Sequence, residues 1–253
     1  MVGSPGRETL SKHLPLIREQ HHVDVVIANG ENAAGGFGLT GQTADEMFAA
    51  GVDFITSGNH IWDKREFRGA LDETDRIIRP ANYPPGSPGR GSGIVEVDGV
   101  TVGVINVMGR VFMPTVDDPF RVAREMVDML REQTKVVVVD VHAEATSEKM
   151  ALARFLDGSV SFVYGSHTHV QTADEQILSG GTAYITDVGM TGPSDGVIGM
   201  ETAGVLQRFT QAYGERFSVQ KTGPRQFCAV LATVEVASGR ALDVKRINLR
   251  GLA

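Results

Sequence analysis

Short runs of β-branched and other apolar residues alternate along the chain with segments of helical periodicity. This alternation is typical of βαβ units, in which helices flank a largely parallel sheet. The pattern predicts strands at residues 23–28, 52–56, 100–107, 135–141, 160–164 and 182–186. Residues 119–133 carry apolar side chains at helical spacing and predict an amphipathic helix that packs on the core, with Phe120, Ala123, Val127 and Leu130 on the buried face.

Two segments deviate from this alternation and indicate antiparallel pairing. Residues 93–107 and 227–249 each have the pattern of two strands joined by a tight turn, at Asp98-Gly99 and at Ser238-Gly239 respectively. Residues 82–89 are rich in proline and glycine and predict a rigid surface loop, because the strand pattern resumes directly after them. We therefore expect an α/β fold with mixed sheets, in one domain that spans residues 1–253.

The composition is that of an ordinary globular protein and narrows the classes of partner. Apolar residues make up 42% and charged residues 22% of the 253 positions, and the net charge of −7 argues against a nucleic-acid substrate. No apolar run approaches the roughly 20 residues that span a bilayer, and the first residues lack the features of a signal peptide. We therefore expect a cytoplasmic protein with no membrane partner. The single cysteine, Cys228, is expected in a buried strand.

Polar side chains gather directly after four of the predicted strands. In open α/β sheets, ligands bind beyond the carboxyl ends of the strands, so these positions are expected to share one rim. The segments are Asn29-Gly30-Glu31-Asn32, Ser57-Gly58-Asn59-His60, His142-Ala143-Glu144 and Gly165-Ser166-His167-Thr168-His169. Four of the seven histidines lie in these segments, whereas His13, His21 and His22 lie in a polar helical region and at its end.

The residue types at this rim indicate a metal site. Any one of these residues is more often structural than a ligand, but His167 and His169 would project to the same side of an extended segment. Together the imidazoles, one carboxylate and two amide oxygens form a mixed nitrogen and oxygen donor set that suits iron, manganese or zinc. A carboxylate among histidines suits two ions, since it can bridge them, and such pairs promote the displacement of phosphoryl groups.

The strings GENAAGG, GNHIWD, HAEATSEK, GSHTHVQTADE and TDVGMTGP resemble those of one family. The chain is similar, from Val2 to at least Gly199, to the bacterial calcineurin-like metallophosphoesterases of the YmdB type, which are 2′,3′-cyclic-nucleotide 2′-phosphodiesterases. The resemblance implies a four-layer α/β/β/α sandwich with mixed sheets. It also implies a centre of two ions, iron or manganese, at the strand ends.

The resemblance assigns a role to each residue at the rim. Glu31 would bridge the two ions, Asn32 and His169 would complete the shell of one ion, and His60 would protonate the leaving oxygen. The other ion would be held by Asn59, His142 and His167. Asp187 follows a predicted strand and is expected either to orient a ligand histidine or to form a turn or a helix cap.

One motif of the family is absent from this sequence. Family members usually begin with an apolar strand that ends in Gly-Asp, and that Asp binds the first metal. The present sequence starts after this point, with a segment that matches the family from Val2 to Arg7. We therefore expect the ion beside Asn32 and His169 to lack one ligand, and the start codon to have been assigned too far downstream.

The resemblance implies hydrolysis of phosphodiesters, with 2′,3′- or 3′,5′-cyclic nucleotides as the expected substrates, by a hydroxide that two metal ions activate. Two alternatives remain open, a phosphomonoesterase and a nucleotide-binding regulatory protein with weak or lost catalysis. The expected partner is a small nucleotide phosphodiester, and assembly into a homo-oligomer is left open. Four further candidates for contact with substrate each have a structural alternative: Arg79, Arg110, Trp62-Asp63 and Phe112-Met113.

Overall fold

The structure is a computed structural model and describes residues 1–214 and 216–253. The helices are α1 (Gly3–His21), α2 (Gly41–Ala49), α3 (Pro119–Arg131), α4 (Thr146–Leu156) and α5 (Thr202–Thr210). The strands are β1 (Ile27–Asn29), β2 (Phe54–Thr56), β3 (Ser92–Val97), β4 (Val100–Met108), β5 (Val136–His142), β6 (Phe162–Ser166), β7 (Gln176–Ile177), β8 (Ala183–Ile185), β9 (Gly192–Pro193), β10 (Arg225–Val234) and β11 (Ala241–Leu252).

The larger sheet has six strands in the order β3-β4-β5-β6-β8-β7. Its four central strands run parallel to one another, whereas β3 and β7 at the edges are antiparallel to their neighbours. Within this sheet, Met108 pairs with His142, and His142 pairs with Ser166. The carboxyl ends of β4, β5 and β6 are therefore level, so the loops that follow them share one edge.

A second set of strands packs against this sheet. It contains the parallel pair β1-β2 and the antiparallel group β11-β10-β9. Buried side chains from both sets meet in one apolar layer, including Phe54 of β2, Val104 of β4 and Val138 of β5, which are each less than 9% exposed. Burial of this apolar area from water is the main force that holds the two sheets together.

The outer faces of the sheets are covered by helices. Alternation along β5 directs Val137, Val139 and Val141 toward α3 and α4, and Val136 and Val138 toward the opposite sheet. On the other side of the molecule, α1 and α2 pack against β1 and β2. The order of layers is therefore helix, sheet, sheet, helix, as the resemblance implied, and the mixed α/β fold is confirmed.

Local sequence determines where the helices begin. The Asp118 side chain accepts a hydrogen bond from the backbone N–H of Phe120 (2.8 Å), and Pro119 occupies the first turn of α3, where its missing N–H costs nothing. At α2, Thr40 and Thr43 form a reciprocal capping box.

Among the described residues, no helix is both long and apolar enough to cross a membrane.

The strand and turn predictions hold with one notable shift. Both hairpins form as expected, at 92–108 and 225–252, and α3 covers the predicted amphipathic segment. The first predicted strand, 23–28, is reduced to β1, because the backbone N–H of Val26 donates to the Asp53 carboxylate (2.8 Å) instead of to a neighbouring strand. The short strands β7 and β9 carry no apolar pattern long enough to predict them.

Candidate metal centre

The four polar segments do meet at one rim of the sandwich. Glu31 and Asn32 follow β1, Asn59 and His60 follow β2, His142 is the last residue of β5, and His167 and His169 follow β6. Glu31, His142 and His167 each offer a ligand atom, and these atoms lie within 4.8 Å of one another. The sequence therefore predicted correctly which strand ends come together.

Around His142, four atoms that can offer an electron pair converge. The Nε2 atom of His142 lies 3.0 Å from Oε1 of Glu31, 3.0 Å from Oδ1 of Asn59 and 3.2 Å from Nδ1 of His167. His142 and Glu31 are 0% and 2% exposed, so water does not shield the contact between these two side chains.

In the rings of His142 and His167, the hydrogen bond made by one nitrogen atom indicates which nitrogen carries the proton of the neutral imidazole. Ser166 donates its only hydroxyl proton to Asp140 (2.6 Å), so it accepts from Nδ1 of His142 (2.9 Å), and a neutral ring then carries a lone pair on Nε2. On His167, Nε2 donates to the Glu144 carboxylate (3.2 Å), which leaves the lone pair on Nδ1.

This donor set fits a cation. A single proton between the two rings could serve only one of the neighbours of His142 Nε2, whereas a metal ion accepts electron pairs from all of them at once. Burial disfavours a charged imidazole, yet the Glu31 carboxylate outweighs burial and raises the pKa of His142. The cluster therefore favours a positive charge at its centre.

The carboxylate and the second imidazole have charge states that suit metal ligation. Burial acts to raise the pKa of Glu31, but its contacts with His142 and the His60 N–H outweigh burial and lower it to about 2. Burial and the charge of His142 lower the pKa of His167 to about 4. At neutral pH, Glu31 is therefore ionised and His167 is neutral.

A second pair of ligand atoms lies beside Glu31 in the sequence. Nδ1 of His169 donates to the carbonyl oxygen of Ile198 (2.9 Å), so its lone pair is on Nε2, which faces Oδ1 of Asn32 at 3.2 Å. The Asn32 amide is fixed in this orientation because its Nδ2 donates to the carbonyl of Gly36 (2.9 Å). Burial lowers the pKa of His169, which keeps the ring neutral. The backbone at the amino terminus lies nearby, with Val2 paired to Asn32.

Gly58 allows the backbone after β2 to approach the side chains of His142 and Glu31. A Cβ atom at this position would collide with Nε2 of His142 and Oε2 of Glu31. The glycine in the segment Ser57-Gly58-Asn59-His60 is therefore required for close approach and not for an unusual backbone angle.

His60 lies at the edge of the centre and is bound to it through its backbone. Its N–H donates to Oε2 of Glu31 (3.1 Å), while Nδ1 of its ring contacts the Asp63 carboxylate (3.0 Å). The ring of Phe37 packs edge-on against it, with 5.1 Å between the ring centroids. The Asp63 contact fixes the ring and leaves Nε2 available to another partner.

Asp140 lies beneath the centre and joins the two sheets. One carboxylate oxygen accepts from Ser166 on the larger sheet, while the other accepts from Thr56 Oγ1 (2.5 Å) and Asn29 Nδ2 (3.1 Å) on the smaller one. The side chain is 0% exposed, and burial raises its pKa despite these donors. Through Ser166, this residue sets the orientation of His142.

The segment His167-Thr168-His169 has a shape that the sequence did not predict. Its two histidines were expected to project from an extended strand, but both have positive φ angles, 99° and 63°. Their rings nevertheless reach different partners, His142 and Asn32. Asp187 contacts neither ring, and its carboxylate instead accepts from the backbone N–H of Thr168 (3.1 Å) and from its hydroxyl (2.8 Å).

Glu144 and Asp140 are polar contributors that received no role from the sequence. Glu144 fixes the proton position on His167, and its place two residues after His142 at the end of β5 was the available signal. Asp140 lies inside an otherwise apolar strand, and a carboxylate in such a run requires buried partners.

Of the other candidates for substrate contact, Arg79 and Trp62 have structural contacts, whereas Phe112 is exposed. Arg79 is 8% exposed and directs its guanidinium at the backbone carbonyls of residues 80, 81, 87 and 88, so it shapes the proline-rich loop and does not meet a phosphate. Trp62 packs edge-on against Tyr83. Phe112, in contrast, is 89% exposed. The guanidinium of Arg110 forms a long contact with Asp118 (3.9 Å), and its backbone N–H donates to the Glu148 carboxylate (2.9 Å). Cys228 lies half-buried in β10.

Comparison with known proteins identifies the family of the chain. The sequence profile of the family described as YmdB-like protein matches residues 1–247. A 2′,3′-cyclic-nucleotide 2′-phosphodiesterase from Bacillus subtilis is 44% identical over 247 residues, which cover 98% of this chain and 93% of that protein.

Two crystal structures have the same fold with a TM-score of 0.92 each. A hypothetical protein from Thermus thermophilus is 44% identical, with 99% of this chain and 96% of that chain covered. A novel phosphatase from Mycoplasma pneumoniae is 32% identical, with 98% and 90% covered. On these grounds the chain belongs to the YmdB-like protein family.

Proposed function

We propose that this protein is a metal-dependent phosphodiesterase that hydrolyses small cyclic nucleotides. The observation that carries the proposal is the convergence of Glu31, Asn59 and His167 on Nε2 of His142. Several atoms that can offer electron pairs at one point, two of them on the buried side chains of Glu31 and His142, favour a bound cation. The activity of the Bacillus subtilis relative supports this class of substrate.

Two groups of ligands would hold two ions. Asn59, His142 and His167 form the first group, Asn32 and His169 form the second, and Glu31 would bridge them. Their mixed nitrogen and oxygen character suits iron or manganese. Bound there, the ions would neutralise the charge of the substrate phosphate and lower the pKa of a water molecule that attacks it.

His60 would supply the proton for the leaving oxygen. Its Nδ1 contact with Asp63 orients the ring, so a proton held on Nε2 can be transferred toward the metal centre. Because its backbone N–H, and not its ring, contacts Glu31, His60 can donate and regain a proton without losing that contact. The exposed Phe112 and Arg110, on the loop after β4, would then lie where a base or phosphate could meet them.

A phosphomonoesterase is the second candidate, because the Mycoplasma pneumoniae relative is described as a phosphatase. Both reactions use the same ions and differ in the charge of the substrate. A phosphodiester carries one negative charge on its phosphate, and a monoester carries two at neutral pH.

The test compares four substrates on one preparation of the full chain. Protein stripped of metal and then loaded with Mn²⁺ or Fe²⁺ is incubated with 2′,3′-cyclic AMP, 3′,5′-cyclic AMP, bis-p-nitrophenyl phosphate and p-nitrophenyl phosphate. We expect metal-dependent turnover of 2′,3′-cyclic AMP and of the bis-ester, with about two ions per chain by mass spectrometry. Preference for p-nitrophenyl phosphate would establish the monoesterase, and tight nucleotide binding without turnover would establish a regulatory protein.

A further inference from the structure

Lys149 is a charged side chain with no contact to solvent. It lies in the first turns of α4 and is 0% exposed, and its Nζ forms an ion pair with Oδ2 of Asp187 at 2.8 Å. Its stem crosses the chain at Gly165, where a Cβ atom would lie 2.7 Å from Cδ of Lys149 and would also collide with the carbonyl oxygen of Thr186. Burial of two charges costs free energy, because both lose their hydration. We therefore expect this ion pair to have a function in the protein.

The Asp187 carboxylate links this ion pair to the segment between two ligand histidines. Oδ2 accepts three hydrogen bonds, from Lys149 Nζ, from the Thr168 N–H (3.1 Å) and from the Thr168 hydroxyl (2.8 Å). Oδ1 accepts from the N–H of Gly189 (2.8 Å), which fixes the carboxylate in its plane. Thr168 is therefore held at both of its donor atoms by a side chain that cannot rotate.

The backbone on either side of Thr168 would not keep its shape without such support. His167 and His169 have φ angles of 99° and 63°, in the left-handed region that residues with a Cβ atom rarely adopt. Strained residues of this kind persist only where surrounding contacts determine them. The two rings also bind in opposite directions, one toward His142 and one toward Asn32. Release of Thr168 would free both ligands at once.

We propose that Lys149 and Asp187 are positioning residues, which act through Thr168 to hold His167 and His169 in the geometry required to bind metal. The inference rests on the proposed function, because it assigns both histidines to the metal centre. It extends that function because it connects Lys149 of α4, a helix that begins four residues after His142, to the histidines that would bind metal.

The central experiment alters Thr168 and keeps the buried ion pair intact. Thr168→Val removes the hydroxyl donor at nearly constant volume, Thr168→Ser restores it, and Thr172→Val serves as the matched control. Thr172 is also half-buried and also contacts Asp187, but its hydroxyl accepts from the backbone N–H of that residue (2.9 Å) and does not bond to the carboxylate. Mn²⁺ affinity is measured by competition with a chelator, and the absorption spectrum of the Co²⁺-loaded protein reports ligand geometry.

We expect Thr168→Val to weaken Mn²⁺ binding by about 10- to 100-fold and to change the Co²⁺ spectrum. Thr168→Ser should bind within about twofold of the unaltered protein, and so should Thr172→Val, even where thermal stability falls. Unchanged affinity in Thr168→Val would overturn the proposal. Equal weakening in Thr172→Val would also overturn it, because the effect would then be a general loss of structure.

A measurement on metal-free protein separates this inference from the proposed function. Asp187→Asn removes the charge that pairs with Lys149, and hydrogen exchange then reports whether the Thr168 amide is still protected. We expect exchange at residues 167–169 to accelerate at least about tenfold while the strands of the larger sheet keep their protection. Unaltered exchange would refute the positioning role whether or not the protein binds metal, whereas failure of the unaltered protein to bind metal would refute only the function.

Discussion

Nε2 of His142 and Nδ1 of His167 face each other at 3.2 Å, and each ring has a hydrogen-bond partner for the proton on its opposite nitrogen. When both rings are neutral, the facing nitrogen atoms therefore direct lone pairs at one another beside the fully buried ring of His142. A cation placed between them converts this repulsion into two coordinate bonds. Metal binding should accordingly stabilise the folded chain.

Added metal should raise the melting temperature. At a free Mn²⁺ concentration about 100 times Kd, binding stabilises the folded state by about 2.7 kcal/mol. For a chain of 253 residues this corresponds to a rise in Tm of about 5–10 °C. Differential scanning calorimetry with and without Mn²⁺ measures the shift, and His142→Ala is the control that should lose it. If Mn²⁺, Fe²⁺ and Zn²⁺ all left the Tm unchanged, the assignment of these residues to a metal site would be contradicted.

Loss of the His60 ring should impair catalysis and spare metal binding. We expect His60→Ala to lower kcat by about 10²- to 10⁴-fold, the range of general acid catalysis. Metal stoichiometry should not change, because the contact of residue 60 with Glu31 is made by the backbone N–H, which alanine retains. Steady-state kinetics and mass spectrometry on the same sample check both points. Simultaneous loss of metal would show that the ring is a ligand instead.

Removal of the Ser166 hydroxyl should weaken the metal centre. In Ser166→Ala, Nδ1 of His142 loses its acceptor, and Asp140 loses one of its donors. We expect metal affinity to fall by about 10- to 100-fold, as is typical when a residue that orients a ligand is lost. Ser161→Ala is the matched control, since Ser161 is also buried and bonded but lies just before the first residue of the same strand. Equal losses in both variants would argue against a specific role.

A methyl group at residue 58 should exclude metal without unfolding the protein. In Gly58→Ala, the new Cβ would occupy the space between Nε2 of His142 and Oε2 of Glu31. Gly204→Ala, in α5, meets no atom within 4 Å and should stabilise that helix by about 0.5–1 kcal/mol. Metal stoichiometry and circular dichroism distinguish the two variants. A Gly58→Ala protein that binds its full complement of metal would refute the close approach.

Much of the site was predictable because it depends on the ends of parallel strands. Residues that follow adjacent parallel strands lie at a common edge, which groups Glu31 with Asn59 after β1 and β2, and His142 with His167 after β5 and β6. That these two edges lie side by side was implied by the resemblance to the family. Contacts between side chains that are far apart in the sequence produce no pattern that could be recognised along the chain. Asp140 and Thr56 are 84 residues apart, and neither position is marked by a local pattern.

The errors have a similar physical origin. The apolar residues Val23, Val25 and Val26 predicted a longer β1, but burial alone does not determine which backbone groups pair. For Arg79 a phosphate contact and a surface ion pair were the two alternatives, and its guanidinium instead donates to loop carbonyls, because an arginine has five donors. The left-handed angles at His167 and His169 were unforeseen, because a strand ending in histidines gives no sign of them.

The carboxylate of Asp140 has a mechanical consequence. Glu31, Asn32 and Asn59 are attached to the smaller sheet, whereas His142, His167 and His169 are attached to the larger one, and Asp140 pins the two sheets together below them. Relative sliding of the sheets by one residue, about 3.3 Å, would separate Glu31 and Asn59 from His142, and Asn32 from His169. We therefore expect the rate at which metal leaves to depend on how often the two sheets move apart.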